Sequence, residues 1–169
     1  MKRLMLLPLI FFCTLIPSMA TEREPGYHPD YPVVEGFFQM NREWHLVLPG
    51  KFNQRFEVGK LVFWGPDITI WASLGEDDHR EPLGLRLDRF FEQIPLQASE
   101  KKIVTNEASL AKYSYQIAEQ PELRQLQSEL HCYALGKASH IHMNIRYQQP
   151  EQLPLAQAIC QSLTNSKNP

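Results

Sequence analysis

The chain has 169 residues, 43% of them hydrophobic and 21% charged, with 17 Lys and Arg against 19 Asp and Glu for a formal net charge of −2. That length and balance describe one ordinary domain and exclude a disordered chain. Mild acidity without a run of Lys or Arg argues against nucleic acid or an anionic membrane as partner.

Residues 1–20 read as a signal peptide. Lys2 and Arg3 supply the charged start, 4–17 is an apolar run broken only by prolines, Cys13 and Thr14, and Ser18 and Ala20 are the small residues of a cleavage site, so cleavage is expected after Ala20. About 14 apolar residues fall short of the ~20 that a spanning helix needs, so no stable membrane span is expected after signal removal. The expected location is the periplasm or the exterior. The rival is a lipid- or signal-anchored protein at the membrane, but Phe11 and Phe12 precede Cys13 where lipoprotein processing wants a small residue. Losing Lys2 and Arg3 leaves 15 Lys and Arg against 19 Asp and Glu, a net −4. Cys132 and Cys160 remain, and an even pair in an exported chain without C-x-x-C reads as a disulfide.

Residues 21–43 carry Pro25, Pro29 and Pro32 among Tyr27, Tyr31, Phe37 and Phe38. Four aromatics are too many for a free linker, so an extended, irregular lead-in is expected to lie against a single domain formed by 44–169. The first strand is expected over 44–48, ended by Pro49 and Gly50 and followed by a loop around Asn53, Gln54 and Arg55. A hairpin then runs over 60–64, turns at Gly65, Pro66 and Asp67, and returns over 68–74. Pairing across a three-residue turn puts Val62, Trp64, Ile68 and Ile70 on one face and Leu61, Phe63, Thr69 and Trp71 on the other.

Glu76, Asp77, Asp78 and His79 form a polar connection. Over 82–94, Leu83, Leu87, Phe90, Phe91 and Ile94 recur at three- and four-residue spacing, an amphipathic helix stopped by Pro95. Strands are expected at 102–105 and 111–117, with 120–122 as a connection. A second hairpin pairs 127–135 with 140–147 through 136–139, opposing Leu135 to His140, Tyr133 to His142, Cys132 to Met143 and Glu129 to Arg146. Leu130, Cys132, Ala134, Ile141, Met143 and Ile145 then face the core, with His131, Tyr133, His140, His142 and Asn144 opposite. The segment 150–163 closes as a helix starting near Leu153, with Ala156, Ile159, Cys160 and Leu163 in one stripe. Cys132 and Cys160 both face the core and are expected to meet. The expected fold class is α+β: a single antiparallel sheet of six to seven strands, the C-terminal helix packed on one face and a second helix following the first hairpin.

The stretch Leu48-Pro49-Gly50-Lys51-Phe52-Asn53-Gln54-Arg55-Phe56-Glu57 with 61–71, and the ending 142–147 with 151–163, resemble a family of small uncharacterised exported proteobacterial proteins. Element order also resembles the PsbP-type fold, an antiparallel sheet between helices. The family likeness implies no activity. The PsbP-type likeness implies binding or assembly more than catalysis, and fold alone licenses no function.

The chain contains no G-x-S-x-G, H-E-x-x-H, G-x-x-x-x-G-K-[ST], G-x-G-x-x-G or EF-hand loop, so no catalytic residue and no cofactor is expected. His131, His140 and His142 are weak metal candidates, because H-x-H on a strand aims both imidazoles at one face. Without a metal, the same cluster titrating near pH 6.5 is expected to make a partner contact pH-sensitive. The run from Glu76 to His79 lacks calcium-loop spacing. Phe63, Trp71 and Arg55 form the candidate binding face, the rings offering apolar surface and Arg55 meeting an anionic group. The competing reading buries both rings under the helix of 82–94. The expectation is a non-enzymatic accessory or binding protein of the bacterial cell envelope, taking an envelope protein or a small apolar ligand. The alternatives are a periplasmic immunity-type inhibitor of a toxin and a metal-binding enzyme built on the His cluster.

Overall fold

The computed structural model describes residues 27–77, 81–106, 109–118 and 127–166. The expected signal peptide of 1–20, cleavage after Ala20, Cys13, Asp78, His79 and the connection at 120–122 lie outside the described residues. In chain order the elements are β1 (Val33–Gln39), β2 (Trp44–Glu57), β3 (Lys60–Gly65), β4 (Ile68–Glu76), α1 (Leu83–Glu92), β5 (Ser99–Asn106), β6 (Ala111–Ile117), β7 (Ser128–Leu135), β8 (Ser139–Tyr147), α2 (Leu153–Ser162) and β9 (Thr164–Asn165). The strands form one sheet in the order β1-β2-β3-β4-β8-β7-β6-β5, with β9 added on β2 and every pairing antiparallel. An antiparallel sheet with two helices, one of them C-terminal, is what the patterns imply. The sheet is larger than the six to seven strands expected, because the chain from 27 to 57 is more regular than its prolines suggest.

Three local readings change. The lead-in contains β1, whose side chains alternate between exposure and partial burial. Pro49 does not end β2. A proline cannot donate to the ladder, so within a sheet it is confined to edges, strand starts and bulges. Here Leu48 faces Gly36 while Phe52 faces Val34, so residues 49–51 bulge opposite Glu35, and Gly36 takes the left-handed φ of 73°. Asn53 is buried within β2: its amide donates to the carbonyls of His28 (3.1 Å) and Tyr31 (3.0 Å) and accepts the His28 N–H (2.7 Å). That side chain ties the lead-in to the sheet.

The third change moves a whole face. The β3–β4 turn holds two residues, Pro66 and Asp67, with Gly65 paired to Ile68 and Asp67 at φ 59°. A strand's side chains alternate with period two, so one residue less in the turn exchanges which side chains keep company. Phe63 therefore shares a buried face with Ile68, Ile70 and Ala72, while Val62, Trp64, Thr69 and Trp71 share the other.

β2 bends along its length. The Trp44 indole N–H reaches Ser139 Oγ at 2.9 Å, although β2 and β8 stand three places apart in the sheet. The curled sheet encloses Trp44, Leu46, Phe63, Ile70, Met143 and Ile145, and α2 closes this core with Ala156, Ile159 and the following Leu163. A disulfide joins Cys132 on β7 to Cys160 on α2, Cα to Cα 5.8 Å. From β6, the Lys112 ammonium donates to the carbonyls of Gln161 (2.8 Å) and Leu163 (3.1 Å), where a helix presents its negative end. On the opposite face α1 sets Leu87 and the following Ile94 against Ala111, Tyr113, Tyr115 and Leu135. Arg86, fully buried, anchors α1 by pairing with Asp77 and donating to the carbonyls of Gly136 (2.8 Å) and Lys137 (3.1 Å). Among the described residues no helix is long and apolar enough to cross a membrane.

Candidate binding face

The sheet face turned away from α2 carries polar and aromatic side chains in rows set by register. Arg55, Val62, Trp71, Asn144, His131 and Tyr115 form one row across β2, β3, β4, β8, β7 and β6. Trp64, Thr69, Arg146, Glu129 and Ile117 form the next. α1 covers the β6–β7 end. Over β3 and β4, Trp64 and Trp71 stay half-buried beside a hollow of about 340 Å³, lined also by Arg55, Thr69 and Arg146 and, among the described residues, by no acidic one.

Both arginines are held from outside the hollow. Arg55 Nη2 lies 2.6 Å from Glu57 Oε2, and its guanidinium stands 5.0 Å from the Trp64 ring centre and 5.9 Å from that of Tyr31. Arg55 Nε is buried with no hydrogen-bond partner among the described residues. Arg146 Nε lies 2.9 Å from Glu129 Oε1. A guanidinium has five N–H donors, so one carboxylate leaves donors to spare.

Glu129 is the hub beside Arg146. Its Oε2 accepts from Asn144 Nδ2 (2.9 Å) and lies 2.9 Å from His131 Nε2. The His131 bond, helped by Asn144 and Arg146 and opposed by burial, holds the Glu129 carboxyl below its ordinary range. His131 Nδ1 meets His142 Nε2 at 3.0 Å. His131 stacks on Tyr115 (4.7 Å), His142 on Tyr133 (4.1 Å) and Tyr133 on Tyr113 (4.7 Å). Burial raises the pKa of all three tyrosines. Burial first, then the charges of His131, Lys60 and His140, push His142 down to about 4. This imidazole therefore stays neutral at pH 6.5, which corrects the expectation that the whole cluster titrates there.

The three histidines do not converge. His140 turns to Asp77, its Nδ1 2.9 Å from Oδ1, with its ring 5.3 Å from that of Phe90. It occupies the space above Gly75, where a Cβ would collide with the ring. Among the described residues no group of three or more His, Cys, Asp or Glu is arranged to hold a metal ion. Of the binding-face candidates, Trp71 and Arg55 lie at the hollow, whereas Phe63 fills the core on the far side. The two-residue Pro66-Asp67 turn puts Trp64 in its place. A protein-family scan of this chain finds no matching family, and a search of the curated proteins finds no match either.

Arg146 is the residue that sequence reasoning missed as a site. Its pairing with Glu129 is written in the β7–β8 register, but its approach to Arg55 depends on β4 pairing with β8 across a long stretch of chain, 76 positions between Thr69 and Arg146 and 78 between Ile68 and Tyr147. A larger hollow, about 650 Å³, lies beside Trp44 and the ends of β4 and β8. There the Ser139 hydroxyl donates to Glu43 (2.7 Å) and accepts from Trp44, and Asp77 holds Arg86, so these side chains serve the fold.

Proposed function

We propose that this chain is a non-enzymatic accessory protein of the bacterial cell envelope that works by binding, and that its ligand sits over Trp64 and Trp71. The observation that carries this reading is the hollow itself: two half-buried indoles flanked by two arginines on a sheet face where α1 packs mainly against β6 and β7. Ordered aromatic and arginine side chains around a shallow concavity are what recognition sites use. The leader pattern of 1–20 and the Cys132–Cys160 disulfide support an oxidising compartment such as the periplasm. The PsbP-type likeness of element order itself implies binding.

The chain has three tryptophans, and Trp44 is buried in the core, so indole fluorescence reports largely on the hollow. Titrating the exported chain with fractionated envelope extract is expected to give a saturable change in emission that Trp71→Ala abolishes. A change that persists undiminished in a folded Trp64→Ala/Trp71→Ala variant would place binding elsewhere and remove this reading.

A further inference from the structure

Resting on the reading of the hollow as a ligand site, we propose that its ligand is a small, flat, apolar molecule that bears an acidic group, with Arg55 and Arg146 taking the acid and Trp64 and Trp71 taking the flat body. Among the described residues the lining has two guanidiniums and no carboxylate, although the chain as a whole is net acidic. The cations are therefore a local feature of this site and not a general basicity of the surface.

The two carboxylates that accompany them lie beside the arginines on the same sheet face, outside the lining of the hollow. Glu57 holds Arg55 through Nη2, and Glu129 holds Arg146 through Nε. Glu129 is itself fixed by Asn144 and His131. Each guanidinium is thus oriented before a ligand arrives, which lowers the ordering cost of binding. Arg55 Nε, buried and unbonded among the described residues, is a donor still lacking an acceptor. A planar fork of N–H groups suits a carboxylate, sulfonate or phosphate better than any neutral group.

Size narrows the class further. Arg55 and Arg146 sit on β2 and β8, three strand spacings apart, or about 14 Å at the usual separation. Two arginine side chains reaching inward leave room between them for one or two rings. A hollow of about 340 Å³ is at the small end of ligand pockets and does not take a helix or a long acyl chain. A wholly apolar ligand would cover both guanidiniums without giving them an acceptor, a neutral polar one would leave their charge unmatched, and a cationic one would be repelled.

A pair of dyes tests the acidic group directly. Anilinonaphthalene sulfonate and phenylnaphthylamine share the same ring system, and only the first carries an anion. Each is titrated into the exported chain, following dye fluorescence and the indole N–H signals of the three tryptophans by NMR. The sulfonate is expected to bind about tenfold or more tighter than the neutral amine, as a charge-assisted contact implies. The Trp64 and Trp71 signals shift while that of Trp44 stays, and raised salt weakens only the sulfonate. Arg55→Gln/Arg146→Gln is expected to erase the preference with the Trp44 signal unchanged as a folding control. Because the dye pair needs no variant, the comparison stands even where a variant fails to fold. Equal affinity for the two dyes, or a sulfonate preference that survives the double substitution, overturns the acidic-ligand assignment. If the neutral dye still moves Trp64 and Trp71, the hollow remains a binding site and only its ligand class falls; if neither dye moves them, the site falls with it.

Discussion

Replacing His142 with Gln isolates one source of acid sensitivity. Burial and the charges of His131, Lys60 and His140 hold the folded-state pKa at about 4 against the ordinary value of 6.5, with Glu129 pulling the other way. The unfolded chain takes up a proton as pH falls below its pKa, while the folded chain does not. Stability from this group is therefore intact above pH 6.5 and is lost progressively as pH falls toward 4. Between about pH 7.5 and about pH 4.5 the linkage relation gives a loss of about 2.5 kcal/mol. Glu129 acts in the same direction, since its lowered pKa gives stability that disappears only as pH drops through and below the carboxylate range. Staying above about pH 4.5 keeps most of that contribution out of the comparison. Gln has an amide that can meet His131 Nδ1, so the variant keeps a partner at that position while losing the titration. Urea unfolding of wild type and His142→Gln in half-unit pH steps measures the effect. The stability advantage of the wild type is expected to shrink by roughly the calculated amount on acidification. Two curves that run parallel across the window would refute the reasoning, because the imidazole would then titrate alike in both states.

Removing both cysteines as Cys132→Ala/Cys160→Ala is expected to cost about 3–4 kcal/mol for a separation of 28 residues, and reductant should lower the melting temperature of the wild type similarly. An unchanged melting temperature would show that α2 stays on β7 without the link. Arg86→Met leaves the Asp77 carboxylate and the carbonyls of Gly136 and Lys137 short of a donor in a buried place, with an expected loss of about 3 kcal/mol in denaturant unfolding; adding Asp77→Asn should recover part of it. Val58 is 91% exposed at the β2–β3 turn and held at φ 46°, a conformation that β-branched residues resist. Val58→Asn makes an Asn-Gly turn and is expected to stabilise the fold by about 1 kcal/mol, read as a higher urea midpoint.

Some of this molecule can be read from its sequence because the cause is local. The β7–β8 hairpin shows strict alternation on both arms and a four-residue connection, and the observed partners of Leu135, Tyr133, Cys132 and Glu129 are those the alternation implies. α1 and α2 declare themselves through Leu83 and Leu87 with Phe90 and Phe91, and through Ala156 with Ile159. Pro49 and Asn53 mislead for the opposite reason. Each looks like a breaker in isolation, but one sits where β1 slips register and the other spends its amide on His28 and Tyr31, more than twenty residues away. At the site, a single residue at Pro66-Asp67 decides whether Phe63 or Trp64 meets Trp71. The company of Arg55 and Arg146 follows from strand order, and no local pattern carries that information.

The contact of Lys112 with the last turn of α2 gives the molecule a built-in clock. Its amine is almost wholly covered and engaged with two carbonyl oxygens, whereas Lys102 on neighbouring β5 is open to water. An acylating reagent therefore modifies Lys102 at once and reaches Lys112 only during moments when the closing helix lifts. The ratio of the two modification rates reports how often that lid breathes, and losing the sulfur bridge should quicken Lys112 while leaving Lys102 as it was.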